Sequence, residues 1–172
     1  SDDSGATGYF RESRDPKPVN QYGLAKRYGE LCVDEKSDLI VRTTFYGWNS
    51  GNHQKMSLAE FFLHYLSCGE AVFGLNNVLL TPLYTFDLAD ILLEMMQKRL
   101  YGVYHAGSIN GISKYLFGKF VAEVFGLDTD LICHQEYLAD ERGVKRPLDT
   151  TLFSGKLSVA LGRSTPSVRE GL

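Results

Sequence analysis

Residues 16–30 read PKPVNQYGLAKRYGE, and residues 38–47 read DLIVRTTFYG. Asn20 suits a helix N-cap, because its side chain can accept from a free backbone N–H of the first turn. The helix is predicted to run to about Lys36. Leu24, Tyr28, Leu31 and Cys32 then share one side, a stripe expected to pack on something, with Tyr22 and Lys26 lying away from it. The second stretch is β-rich, and its continuous apolar start suits a strand of a covered sheet.

Working outward, helix and strand signals keep alternating. SLAEFFLHYLSCG (57–69) reads as an amphipathic helix closed by Gly69. AVFGLNNVLLTPLYTF (71–86) is extended and turn-rich. DLADILLEMMQKRL (87–100) is a helix with Asp87 at its start and Lys98 and Arg99 in its last turn, where the dipole favours them. GVYHAG (102–107) is a short buried strand, SKYLFGKFVAEVFG (113–126) a helix capped by Ser113 and closed by Gly126, and DLICHQ (130–135) a strand. From Tyr137 onward periodicity weakens, and a binding loop is expected more than a core element. This order argues α/β architecture.

The 172 residues, 44% hydrophobic, are long enough for one core. A net charge of −3, with no basic run longer than two residues, lacks the footprint of nucleic-acid binding. Apolar stretches are broken by polar residues long before the roughly 18 that span a bilayer, and no membrane anchor or secretory signal is visible. Cys32, Cys68 and Cys133 are odd in number and lack CxxC spacing, which suits free buried thiols in a reducing cytoplasm. His53, His64 and His134 share no ligand spacing with them, so no metal site is expected. No G-x-S-x-G elbow is present either.

Tyrosine and lysine stand four apart twice, at Tyr22/Lys26 and Tyr115/Lys119. On a helix this places phenol and ammonium side by side. The fixed positive charge favours phenolate over phenol, and such a tyrosine can exchange a proton with a substrate oxygen near neutral pH. With ten tyrosines in the chain the spacing alone proves nothing, and on spacing alone two solvated helix faces are the favoured reading.

The surroundings separate the two. Pro18, Asn20, Tyr22, Gly23, Lys26, Gly29 and Glu30 fit P-x-N-x-Y-G-x-S-K-x-x-G-E, so this stretch resembles the active-site helix of the extended short-chain dehydrogenase/reductases, with Ala25 where that family usually has Ser. RTTFYG, TPLYTFDLAD, the segment from GVYHAG to VFGLD, and KRPLDTTLFSGKL follow in the order of the dTDP-4-dehydrorhamnose reductase branch. YLFGK falls within one of these segments as ordinary helix, which assigns Tyr115 and Lys119 to surface or packing.

The resemblance implies a partial Rossmann-like parallel sheet with a small α/β substrate-binding part. Residues 1–48 would be the rear of the dinucleotide-binding domain and 49–172 mainly substrate-binding, with a strand near 102–107 returning to the sheet. It implies NADP or NAD as cofactor, reduction of a nucleotide-activated 4-keto sugar, and a cytoplasmic protein. Tyr22 and Lys26 would be catalytic and, with Thr43 and Thr44, would bind the cofactor, while Phe45, Tyr46 and Arg146 would bind the substrate.

No G-x-G-x-x-G or related phosphate loop occurs in the chain. In the resembled family that loop and a catalytic Ser/Thr precede the tyrosine, so the chain is expected to be the second half of a longer protein and inactive alone. Strands 39–42 and 103–106 would then lack part of their sheet partners, and their edges invite pairing with a second copy in a homodimer. Phe45 replaces the family's indole and suits either stacking on a sugar or base or a core position. Arg146 suits bidentate binding of a diphosphate or a salt bridge to Asp149. Lys145 reads as solvated, and His105 as a satisfied core histidine. Sugar-nucleotide epimerase or dehydratase, and a non-catalytic regulatory protein like the regulatory subunit of methionine adenosyltransferase, are the alternatives.

Overall fold

In the computed structural model, which describes residues 9–50, 55–138 and 146–172, helix Gln21–Leu31 (α1) leads into strand Leu39–Thr43 (β1) and the short strand Phe45–Tyr46 (β2). Asn20 caps α1 by accepting from Gly23 N at 2.9 Å. The helix stops at Leu31, five residues before Lys36, because Asp34 opens a competing turn: its carbonyl accepts from Ser37 and Asp38, and its carboxylate from Lys36 N.

Helix Leu58–Ser67 (α2) begins with a reciprocal capping box between Ser57 and Glu60, and Gly69 follows it at φ +72°. Strands Val72–Leu75 (β3), Leu79–Leu80 (β4) and Leu83–Tyr84 (β5) occupy the turn-rich stretch and lead to helix Thr85–Gln97 (α3). Lys98 is the cap of α3 and Arg99 lies beyond it at φ +52°, so neither belongs to the last turn. Strands Gly102–Ala106 (β6) and Ile112–Ser113 (β7) precede helix Lys114–Phe125 (α4), which Ser113 caps and the left-handed Gly126 closes. A 3-10 turn over Thr129–Leu131 enters strand Ile132–Gln135 (β8), and helices Gly155–Leu161 (α5) and Val168–Gly171 (α6) complete the chain.

The strands pair two by two. β1–β6, β2–β5 and β3–β8 are parallel and β4–β7 is antiparallel. β1 and β6 run in register from Leu39 opposite Gly102 to Thr43 opposite Ala106. Alternation sends Leu39, Val41, Tyr104 and Ala106 to one face, where they pack with Leu88, Ile91 and Met95 of α3 and Leu157 and Leu161 of α5. A second cluster joins Phe62 of α2 to Phe117 and Val121 of α4 above β3 and β8. Gly118 lets these helices approach, since a Cβ there would stand 2.5 Å from the Phe62 ring.

Four expectations need correction. The apolar side of α1 is uncovered: Tyr28 is 59% and Leu31 63% exposed, and no α1 residue is fully buried. β1 is half-buried throughout and pairs with β6 alone among the described residues, so it is not the covered strand its apolar run suggested. All three cysteines are exposed, Cys32 and Cys68 because they cap helix C-termini and Cys133 because it lies on the outward side of β8. From Thr151 the tail is core and not a binding loop, since Thr151, Ser154, Leu157, Leu161, Thr165 and Val168 are buried, while residues 139–145 of the expected loop lie outside the described residues. Among the described residues no helix is long and apolar enough to cross a membrane.

Candidate active site

α1 and the end of β1 form two walls of a cleft of about 510 Å³, and residues 10–17 and 147–150 form the others. Gly23, Lys26, Arg27 and Glu30 line it from the helix, and Arg42, Thr43 and Thr44 from the strand. The cleft therefore brings Lys26, Thr43 and Thr44 together. Tyr22 stands beside this lining, 73% exposed, with Lys26 Nζ 5.6 Å from its ring centroid. The phenol is neither sealed in packing nor remote from the ammonium.

The other expected residues separate. Phe45 is 63% exposed, which removes its core reading and leaves the ring free to stack. Its neighbour Tyr46 points the opposite way, as alternation along β2 requires. Tyr46 is 3% exposed, packs edge-on against Phe117 with centroids 5.0 Å apart, and donates its hydroxyl to Val168 O at 3.0 Å. Burial pushes its pKa far above the usual phenol value. The expected substrate contact by Tyr46 is thus replaced by a core position.

Arg146 immediately precedes the wall at 147–150 and is exposed. It forms no ion pair with Asp149, whose carboxylate accepts from Thr151 N and Oγ1 at 2.9 and 2.7 Å. Its charged neighbour is instead Lys114, whose pKa is lowered by burial and then by the Arg146 charge. Among the described residues nothing pairs with the guanidinium fork, whose geometry suits an anion. Tyr115 and Lys119 do structural work: Lys119 donates to Thr129 O at 2.6 Å, and Tyr115 packs on Gly74. Lys145 and His53 lie outside the described residues. Among the described residues no group of three His, Cys, Asp or Glu is placed to hold a metal.

The acids of the cleft are committed. Glu30 takes a fork from Arg42 (Nε 2.7 Å, Nη2 2.8 Å) and a third bond from Arg27 (3.1 Å), and Asp15 faces Arg27 at 3.5 Å. Hydrogen bonds from Arg42 hold the Glu30 carboxyl below its ordinary pKa against the opposing effect of burial. Arg14, stacked 4.7 Å over Phe10, Lys17 and Lys26 make no ion pair among the described residues. With Arg11, Arg14, Lys17, Lys26, Arg27 and Arg42 set against Asp15, Glu30 and Asp149, the cleft lining is positive and suits an anionic ligand. Thr44 Oγ1 is the one buried side-chain polar atom without a partner among the described residues. Lys26 and the threonines fit the ribose end of a dinucleotide, whereas the sequence has no G-x-G-x-x-G loop for its pyrophosphate.

The Glu30–Arg42–His105 contact, spread over three elements, has one sequence signal. An arginine inside the apolar run LIVRTT needs a buried or half-buried acid as partner.

Parallel strand pairs under helices, with a tyrosine–lysine helix along a cleft, define a protein with the fold of the sugar-nucleotide reductases and epimerases. The chain belongs to the RmlD substrate binding domain family, which it matches over residues 2–172. It is 28% identical over 174 residues to the probable low-salt glycan biosynthesis reductase Agl14 of Haloferax volcanii, covering 99% of this chain and 58% of that protein. It is 25% identical over 188 residues to methionine adenosyltransferase 2 subunit beta of Xenopus tropicalis, covering 98% and 53%. The crystal structure of dTDP-4-dehydrorhamnose reductase from Bacillus anthracis, solved in complex with NADP, superposes with a TM-score of 0.77 at 25% identity over 95% of this chain and 57% of its own. The chain thus spans little more than half the length of these relatives.

Proposed function

We propose that the protein is an NADP- or NAD-dependent reductase of a nucleotide-activated 4-keto sugar, of the dTDP-4-dehydrorhamnose type. The exposed Tyr22 phenol beside the Lys26 ammonium, at the edge of a positively charged cleft, carries this reading. Tyr22 gives its proton to the C4 oxygen of the sugar, and Lys26 favours the phenolate left behind and bonds the cofactor ribose. A bound nicotinamide supplies the hydride. Thr43 and Thr44 contribute hydroxyls to the cofactor side of the cleft. Phe45 offers a ring face to the sugar or base, and Arg146 a fork to the diphosphate. Residues 1–48 belong with the dinucleotide-binding part and 49–172 mainly with the substrate part. The parallel pairing of β6 with β1 supports the return of residues 102–107 to the first of these.

The test is absorbance at 340 nm with the full-length protein, NADPH and dTDP-4-dehydrorhamnose. Stoichiometric oxidation is expected. The 172-residue chain alone is expected to oxidise none, because it contains no glycine-rich loop; measurable turnover by it would contradict that. The similarity to methionine adenosyltransferase 2 subunit beta favours a second reading, a regulatory protein. Tight cofactor binding without oxidation would select it. Epimerisation without net cofactor consumption would instead select an epimerase.

A further inference from the structure

α1 carries the Tyr22–Lys26 pair, yet it has no fully buried residue, and its largest apolar side chains face solvent. Hydrophobic packing therefore does not fix its position. What reaches across from the strand pair is polar. Arg42 projects from β1 on the face opposite α3 and α5, and its fork closes on Glu30 near the C-terminal end of α1. Arg42 Nη1 also lies 3.3 Å from His105 Nε2 on β6. A guanidinium can only donate, so Nε2 must accept. The other ring nitrogen, Nδ1, lies 2.8 Å from Phe10 O, which can only accept, so Nδ1 must carry the proton. His105 is 1% exposed and is thereby held neutral in a single tautomer. Its backbone N–H is taken by Glu12 Oε1 at 3.0 Å, which ties the 10–17 wall of the cleft to the same strand.

We propose that Glu30, Arg42 and His105 form a positioning relay that holds the helix bearing Tyr22 and Lys26 against the β1–β6 pair. None of the three touches the reacting atoms. Their effect on catalysis rests on the reading above, whereas their effect on helix placement does not. The charged groups around the histidine are Arg42 from β1, Glu30 from α1 and Glu12 from the 10–17 wall, with Arg27 and Asp15 behind Glu30 and Glu35 near Arg42. Protonating Nε2 turns the acceptor into a donor facing a guanidinium, so the relay opens at that joint.

Two measurements on the chain, neither requiring cofactor or substrate, test the relay separately from the reductase reading. The first is hydrogen exchange at pH 7.5, with α4 amides as internal reference. Glu30→Gln and Arg42→Lys are expected to speed exchange of α1 amides about tenfold relative to α4, the loss of one charge-assisted bond. His105→Gln keeps an acceptor that does not titrate, so at pH 7.5 it is expected to leave α1 protected. Unchanged α1 exchange in both Glu30→Gln and Arg42→Lys would overturn the proposal. Should either variant lose α4 protection as well, the wild-type spectrum decides. Long-range ¹H–¹⁵N correlation of the His105 ring is expected to show protonated Nδ1 and bare Nε2 at pH 7.5. A charged ring or the Nε2–H tautomer would overturn the relay.

Discussion

Arg146 and Tyr46 show what single residues do and do not reveal in sequence. Phe45 and Tyr46 adjoin, and composition cannot say which of two neighbouring aromatics in a strand faces out; the register of β2 on β5 puts Phe45 outside and Tyr46 in the core. For Arg146, the choice between ligand and salt bridge turns on Asp149, whose side chain folds back onto Thr151. Among the described residues the arginine makes no ion pair and stands beside Lys114. Removing a bidentate Arg–phosphate contact costs about 1.5–3 kcal/mol, roughly 10- to 100-fold in Kd. Arg146→Ala is expected to weaken nucleotide-sugar binding by that factor in calorimetric titration, and to leave thermal stability unchanged. Unaltered affinity would remove Arg146 from the site.

At the scale of elements, caps were legible and coverage was not. Asn20, Ser113, Gly69 and Gly126 mark helix ends by local chemistry that needs no tertiary partner, and all four stand where the sequence placed them. The stripe on α1 is apolar in sequence, but periodicity reports only that a face is apolar, not that anything lies on it. The tail escaped because much of what it buries is polar: Ser154 exchanges bonds with Gly107 N and O, and hydrophobic patterning does not register that. Two glycines in helices test the packing with opposite signs. At Gly118 a Cβ meets the rigid, buried Phe62 ring at 2.5 Å, and Gly118→Ala is expected to cost about 1–3 kcal/mol. At Gly29 nothing lies within 4 Å, and Gly29→Ala is expected to gain about 0.5–1 kcal/mol. Thermal unfolding reads both, and stabilisation by Gly118→Ala would contradict the close α2–α4 contact.

Across the whole molecule, helices pack on strands through two apolar clusters, whereas α1, one wall of the cleft, is tied by charge. The α/β class was legible because helices and strands alternate. The relay was not, beyond the signal of an arginine inside an apolar run, since Glu30, Arg42 and His105 belong to three elements separated by up to 75 positions (105 − 30). This tie makes stability depend on pH. Burial lowers the His105 pKa below its usual 6.5, so between the folded and unfolded values the unfolded chain binds more protons. The stabilisation is complete above pH 6.5 and is lost as pH falls through the lower folded value. Glu30, also depressed, adds a loss of the same sign below 4.5, while Asp87, raised by burial, opposes it in the acid range. The urea midpoint is expected to hold steady from pH 8 to 7 and to fall below pH 6.5, with His105→Gln flattening the first part of that fall. A wild-type midpoint that stays level down to pH 5 would contradict this.

The role proposed for Tyr22 on α1, proton donor to the sugar, is open to the most direct measurement. In the full-length protein, kcat for NADPH oxidation with dTDP-4-dehydrorhamnose is compared between wild type and Tyr22→Phe, a change at an exposed site that leaves the fold intact. Loss of a positioned general acid is expected to lower kcat by roughly 10²- to 10⁴-fold. Wild-type turnover in Tyr22→Phe would contradict the assignment of the phenol as the group that protonates the sugar oxygen.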